Sequence, residues 1–337
     1  MIIVLKPGIA KKDETAVLKE IRRLGYRPHV MRGVARTVIG AIGDERTHKN
    51  LETLISWAQV ESVTPIQKRF KLVSREAHTA NSTINVRGQI IGGTKFQVMA
   101  GPCSVESEKQ LLTTAHAVKK AGATILRGGA FKPRTSPYEF QGLGEKGLKL
   151  LAKARQETGL PIITELLSEN HADLVAEYAD ILQIGTRNAQ NFQLLIAAAK
   201  TGKPVLLKRG LSMKIEEWLL AGEYVLANEN PQLMFCERGV RTFETYTRNL
   251  LDLSAIPVVK KESHCPIVID PSQGAGRADL VTAMCKGAVA MGADALLIEV
   301  HPNPAEAWSD GAQQVTLEAF GKLMTELQPF IIAAGRE

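Results

Sequence analysis

Eleven side chains capable of chemistry stand at or just past the ends of short apolar runs: Cys103, Arg127, Lys132, Glu165, Arg187, Lys208, Arg209, Arg238, Asp270, Glu299 and His301. Taken singly, an arginine or lysine in such a place reads as a solvated loop residue. Seven of them are basic (Arg127, Lys132, Arg187, Lys208, Arg209, Arg238 and His301). Gathered at one place they repel one another unless anions offset the charge. That points to a substrate rich in phosphate or carboxylate. The glycine-rich GAGR at 274–277 adds backbone N–H groups to the same account, as weak support.

Cys103, Glu299 and Asp310 form a second set. Each alone reads as packing or surface. Glu299 nevertheless ends an apolar run, where an unpaired carboxylate is costly. Cys103 follows Gly-Pro and is expected to be exposed. A thiolate with two carboxylates suits a divalent transition metal of intermediate softness. The stretch IVIDPSQGAGR at 267–277 poses a related question: what do Asp270 and Gln273, at the end of a strand, touch?

The elements that must position these groups are legible from residue 96 onward. FQVMAG, TILRGG, PIITEL, ILQIGT, PVLLKRG, LMFCERG, PIVIDPS and ALLIEVH are strands, separated by amphipathic stretches such as EKQLLTTAHAVKKAG and LVTAMCKGAVAMG. Eight such units predict an α/β fold, a (β/α)8 TIM barrel over 94–337, with its chemistry at the C-terminal strand ends. A doubly wound sheet is the rival; the regular repeat favours closure.

The first 70 residues read as a β-α-β-β-α-β, ferredoxin-like α+β domain: MIIVLKP, then a helix over DETAVLKEIRRLG with Asp13 at its N-cap and Gly25 closing it, PHVMRG, RTVIGAIG, a helix over HKNLETLISW, and VESVTPI. They contain no cluster of catalytic residue types. Residues 71–93 read as a polar linker and a hairpin, INVRGQIIGG, that plugs the barrel's N-terminal end.

The composition narrows the function classes. Net charge is +7, but the basic residues are dispersed and aromatics are only 5%, which argues against nucleic acid. No apolar run is long enough for a membrane span or signal peptide. Four cysteines without paired spacing (103, 236, 265 and 285) predict reduced thiols and a cytoplasmic protein.

Longer segments carry a resemblance. MAGPCSVES, ILRGGAFKPRTSPYEFQGLGEKGL, IGTRNAQNF, LLKRG, ERGVRTFETYTRN, DPSQGAGR and IEVHPNPAEAWSDG are similar to the signature segments of 3-deoxy-D-arabino-heptulosonate 7-phosphate (DAHP) synthases. The likeness is to the type I beta subclass, with a ferredoxin-like N-terminal domain. It implies condensation of phosphoenolpyruvate with erythrose 4-phosphate and water, giving DAHP and phosphate, the first step of the shikimate pathway.

Carried over residue by residue, the resemblance puts Arg127, Lys132, Arg187, Lys208 and Arg238 on phosphoenolpyruvate. It puts Arg134, Thr135 and Ser136 on the sugar phosphate, makes Lys132 the proton donor, and makes Glu165 a nearby polar organiser. It also implies metal ligands at Cys103, Gln273, Glu299 and Asp310, tyrosine or phenylalanine as effector, and a homotetramer.

At one position the sequence departs from the pattern, reading DPSQ where the family has DPSH. An amide oxygen at Gln273 is a harder and weaker ligand than imidazole, which shifts the expectation toward Mn2+. His264 cannot substitute, lying roughly 30 Å away along the same strand. His301 belongs to the family's usual EVHP. Two other readings stay open: a catalytically silent amino-acid-sensing or assembly protein, and a related phosphoenolpyruvate-dependent sugar-acid phosphate synthase.

Overall fold

The computed structural model describes residues 1–32, 36–43, 50–64 and 69–337. The chain divides into two compact units, Met1–Arg69 and Phe70–Glu337.

In the small unit, β1 (Ile2–Leu5), β2 (Arg27–Arg32), β3 (Thr37–Ile42) and β4 (Val60–Thr64) form an antiparallel sheet of order β2-β3-β1-β4, which shares a core with α1 (Lys11–Arg23). Alternation along β1 buries Ile3 and Leu5, and helical spacing on α1 buries Val17 and Ile21 against them. Asp13 is not the N-cap. The helix begins at Lys11 after Ala10, so the carboxylate lies in the first turn, where it favours the positive end of the helix. Gly25 follows the helix end at φ 99°.

The expected second helix is a short 3-10 segment, Leu51–Ser56, capped by the Asn50 side chain accepting from the Glu52 N–H at 2.8 Å. Its buried pair, Leu51 and Leu54, has the three-residue spacing of that tighter helix. Gly33 of the second expected strand, the start of that helix (48–49) and the end of the last strand (65–66) lie outside the described residues.

In the large unit a hairpin, β5 (Ile84–Val86) and β6 (Gln89–Ile91), precedes eight parallel strands: β7 (Gln97–Gly101), β8 (Ile125–Arg127), β9 (Ile162–Leu166), β10 (Ile181–Ile184), β11 (Val205–Lys208), β12 (Leu233–Glu237), β13 (Ile267–Ile269) and β14 (Ala295–Glu299). They close into a barrel, with β14 pairing β7 from Ala295↔Gln97 to Glu299↔Gly101. The connecting helices are α2 (Glu108–Lys120), α3 (Glu145–Thr158), α4 (Ala172–Tyr178), α5 (Phe192–Lys200), α6 (Ile215–Leu226), α7 (Ala255–Glu262), the single turn α8 (Pro271–Ala275), α9 (Ala278–Ala290) and α10 (Leu317–Ala333).

Strand alternation sorts the barrel's apolar residues into two layers. Val98, Leu126, Ile162, Leu182, Leu207 and Phe235 face the helices, where they pack with residues such as Leu111 of α2 and Trp218 of α6. Met99, Ile125, Ile163, Ile181, Leu206, Met234, Val268 and Leu297 face inward, packed with Ile84, Val86 and Ile91 of the hairpin. The hairpin is tied to the N-terminal ends of the strands by Arg87 Nε donating to Asp180 Oδ1 at 2.6 Å, just before β10.

Candidate active site

The alternation that fills the barrel interior also builds its mouth. Two residues beyond each inward apolar side chain, the next inward position lies at the C-terminal end of the strand. Ile125 is followed by Arg127, Ile163 by Glu165, Ile181 by Gln183, Leu206 by Lys208, Val268 by Asp270 and Leu297 by Glu299. On β7 the corresponding residue is Gly101. A Cβ there would stand 2.1 Å from the Arg127 carbonyl oxygen, so the close approach of β7 to β8 requires glycine. Gly185 makes similar room: a Cβ would collide with Glu165 Oε1 at 1.9 Å.

On the floor of this mouth, the Cys103 sulfur and one oxygen each from Glu299 and Asp310 lie within 4.8 Å of one another. Cys103 is fully buried, contrary to the exposure expected of it. Its N–H donates to Gln314 Oε1 at 3.0 Å, and Lys132 Nζ reaches its sulfur at 3.0 Å. Glu299 accepts from Arg127 Nη1 at 2.7 Å, Gln313 Nε2 at 2.6 Å and Gln273 Nε2 at 3.1 Å. Asp310 sits in the left-handed region, φ 48° and ψ 35°, uncommon outside glycine though tolerated by Asp. Its Oδ2 accepts from the Cys103 thiol at 3.3 Å, and its Oδ1 from Arg248 Nη1 at 3.3 Å.

Burial sets the protonation of this floor, and neighbouring charge adjusts it. Burial, reinforced by Glu299, pushes the Cys103 thiol up to about 12. Burial also opposes ionisation of Glu299, but Arg127 and Lys132 outweigh it and bring the carboxyl down to about 2. For Lys132 burial alone would lower the pKa; the charges of Cys103 and Glu299 raise it instead. Lys132 Nζ itself donates to the Cys103 carbonyl at 3.2 Å and to the Cys103 sulfur at 3.0 Å. Burial raises the Glu165 carboxyl and lowers the Arg238 guanidinium.

Asp270 answers half of the question posed by the 267–277 stretch. Its Oδ2 accepts from Lys208 Nζ at 2.6 Å, and its Oδ1 caps α8 by accepting the Gln273 N–H at 2.8 Å. Gln273 answers the other half. Its Oε1 accepts from Arg238 Nη2 at 2.7 Å, while its Nε2 faces Glu299 and Asp310.

Above the floor, Arg127, Lys132, Lys208, Arg238, Arg187, Arg134 and Thr135 line one cavity together with Glu165. Arg187 Nη2 donates to Thr135 Oγ1 at 3.3 Å, and Arg134 pairs with Glu139 at 2.6 Å. Arg127 Nε, Arg134 Nε and Thr186 Oγ1 are buried without a protein partner. Unmet donors beside a cluster of cations describe a place for an anionic ligand.

Three expectations are corrected. Ser136 does not line the cavity; its Oγ accepts from the Tyr138 N–H within its own loop, and its N–H donates to Glu139. Arg209 points away, because the residue after inward Lys208 must face outward; it pairs with Glu237 and Asp252, each at 2.9 Å. His301 is also outside the cavity, 3.2 Å from Glu106 Oε2.

Residue types alone missed Arg248, Gln313 and Thr186. Arg248 lines the cavity and also donates to Gln313 at 2.9 Å, so the two brace Asp310 and Glu299 from outside. The available signal was position: Arg248 lies within ERGVRTFETYTRN, and Gln313 three residues after Asp310.

Comparison with known proteins bears on both units. The chain matches the DAHP synthetase I family over residues 72–332 and the DAHP synthase ferredoxin-like domain over residues 1–68. It is 49% identical over 335 residues to phospho-2-dehydro-3-deoxyheptonate aldolase of Thermotoga maritima, covering 99% of each chain. It is 33% identical over 257 residues to 2-dehydro-3-deoxyphosphooctonate aldolase of Caulobacter vibrioides, covering 71% of this chain and 88% of that one.

Among solved structures, that of the Thermotoga maritima aldolase matches with a TM-score of 0.95 at 48% identity, covering 100% of this chain and 98% of the other. A truncated form of the 3-deoxy-D-arabino-heptulosonate 7-phosphate synthase from the same organism matches with a TM-score of 0.75 at 47% identity, covering 80% and 98%.

Proposed function

The chain belongs to the DAHP synthetase I family and condenses phosphoenolpyruvate with erythrose 4-phosphate and water to give DAHP and phosphate, and from that premise we propose how its residues divide the work. Arg127, Lys208, Arg187 and Arg238, with Lys132, hold the phosphate and carboxylate of phosphoenolpyruvate. Arg134 and Thr135, at the outer part of the cavity, take the sugar phosphate. The unmet Nε donors of Arg127 and Arg134, buried among cations, are the observation that carries this division.

The family uses a divalent metal, and a thiol and two carboxylates converging within 4.8 Å fit one. Held by Cys103, Glu299 and Asp310, such an ion supplies Lewis-acid polarisation of the aldehyde. We assign Mn2+, since position 273 carries an amide and brings no imidazole to this thiol and carboxylate set. In the first step C3 of phosphoenolpyruvate bonds to the aldehyde carbon, and Lys132 donates a proton to the aldehyde oxygen. Water, oriented by Glu165, whose pKa is raised by burial, then adds at C2 and gives its proton to Lys132, the free base left by the first step. Phosphate leaves C2 as the hemiketal collapses to the ketone.

The test is direct. Mixing both substrates with Mn2+ should release phosphate and form the seven-carbon product, and EDTA should stop both. Phosphate release with arabinose 5-phosphate but not with erythrose 4-phosphate would transfer the chain to the eight-carbon reaction.

The small unit has its own core and no cluster of catalytic residue types, which supports a regulatory role with tyrosine or phenylalanine as effector. Deleting residues 1–70 should leave a barrel that turns over and ignores both amino acids. An active full-length protein insensitive to both would refute this role. We further infer a homotetramer, checked by light scattering, in the cytoplasm. Four unpaired, buried cysteines support that location, and no helix among the described residues is long and apolar enough to cross a membrane.

A further inference from the structure

We propose that Gln273 is not a metal ligand in this chain but a positioning residue, an amide bridge that ties Arg238 to the two ligand carboxylates and leaves the cation to Cys103, Glu299 and Asp310. The backbone at 273 is fixed on both sides. Its N–H donates to Asp270 Oδ1 at 2.8 Å, and its carbonyl accepts from Asn249 Nδ2 at 3.0 Å. The side chain then spans two regions of opposite charge. Oε1 accepts from Arg238 Nη2 at 2.7 Å, and Nε2 points to Glu299 Oε1 at 3.1 Å and Asp310 Oδ2 at 3.4 Å.

The two ends of an amide are not interchangeable in such a place. Turned over, the NH2 group would face a guanidinium and the oxygen would face two carboxylates; every contact would change from attraction to repulsion. The charges on either side therefore select the orientation. In that orientation the end nearest Glu299 and Asp310 presents N–H groups, which have no lone pair for a cation. To ligate, the amide would have to give up Arg238 and set its own donors against the guanidinium, in exchange for one weak neutral oxygen. A carboxylate has about four lone-pair sites, enough to serve a cation and an amide donor together.

Arg238 needs this bridge. Among the described residues it makes no salt bridge. Apart from Gln273 its hydrogen bond is one at 3.5 Å to the carbonyl of Gly239. Gln273 thus supplies the side-chain contact that aims this buried cation into the cavity, and through the same amide it senses the carboxylates of the metal set. The inference rests on the placement of phosphoenolpyruvate at Arg238 proposed above.

Binding measurements on full-length protein separate the roles. Mn2+ affinity and phosphoenolpyruvate affinity are measured by calorimetry for the parent, Gln273→Leu, Gln273→Ala and Arg238→Ala. Co2+ absorption reports ligation by the Cys103 sulfur. Both Gln273 variants should keep Mn2+ affinity within about threefold and the Co2+–thiolate band, yet bind phosphoenolpyruvate about tenfold more weakly, as expected when a charged hydrogen bond is lost. A tenfold or greater loss of Mn2+ affinity in both variants would show that Gln273 is a ligand and overturn the proposal. So would unchanged phosphoenolpyruvate affinity in both, if Arg238→Ala loses it. If Arg238→Ala itself binds phosphoenolpyruvate as the parent does, the substrate placement fails instead, and retained Mn2+ affinity in the Gln273 variants still upholds the three-donor site.

Discussion

The two ends of the barrel are made from the same strands and treat charge in opposite ways. At the N-terminal end, acidic residues are matched locally. Asp180 receives Arg87 and Arg155 and also caps the Ile162 N–H at 2.8 Å. Asp294 receives Lys260 and Arg336 and caps the Ile267 N–H at 2.9 Å. His264 is spent on Ser82 and the Leu72 carbonyl, each at 2.8 Å. At the C-terminal mouth, arginines and lysines outnumber their partners.

Four buried side-chain polar atoms among the described residues lack a partner. Three of them (on Arg127, Arg134 and Thr186) belong to the mouth, and one, Gln97 Oε1, starts β7 at the other end. One end is closed by satisfied pairs and an apolar plug; the other stores unmet donors for a ligand. Stability and activity are therefore built into separate halves of one barrel.

The strongest test of this division is Lys132→Met. Removing the ammonium that lies beside the Cys103 sulfur should lower kcat/KM by roughly 10^2- to 10^4-fold, the range of a lost general acid. Unfolding monitored by circular dichroism should change far less than the rate does. A fall in activity explained wholly by unfolding would erase the distinction between the two ends.

Asp180→Asn is the converse and should have a smaller effect. Loss of its charged partners should cost about 1–3 kcal/mol of stability, while kcat/KM at moderate temperature stays close to the parent's. Burial alone would raise the Asp180 carboxyl, but Arg87, the Ile162 N–H and Arg155 outweigh it and hold it below the ordinary value. Its stabilisation is therefore complete above the unfolded value, near about 4, and is lost as pH falls through the lower folded value. The stability gap between parent and variant should close in acid; a gap that widens there would refute the assignment.

The smallest effect is expected at Ser136→Ala. That hydroxyl serves its own loop, so KM for erythrose 4-phosphate should move by less than about threefold, within the range of a surface change. A larger shift would mean that the loop rearranges to bring Ser136 onto the sugar phosphate.

Much of this division was legible in the sequence. The apolar runs located all eight barrel strands, and of the residues ending them Arg127, Lys132, Glu165, Arg187, Lys208 and Arg238 line the cavity. The errors came from local rules applied without a neighbour. Asp13 has the right type for an N-cap, but Lys11 and Lys12 were already helical. HKNLETLISW has helical spacing, yet the described part is a six-residue 3-10 segment. Cys103, after Gly-Pro, seemed bound for solvent; the 310–314 segment and Lys132 cover it, and nothing near it in the chain announces either.

What the sequence determined by itself is the set of inward positions, because a strand's period of two turns a run of letters into two faces without knowledge of the partners. Lys208 in and Arg209 out obey that period, although both residues were expected at the mouth. What only the tertiary structure decided is which inward groups meet, since closing the barrel brings Cys103 beside Asp310 and Arg238 beside Gln273 across long stretches of chain. The orientation of the Gln273 amide is the clearest case. Its two ends differ only in which one accepts and which donates, so the choice between them belongs to the charges folding places on either side.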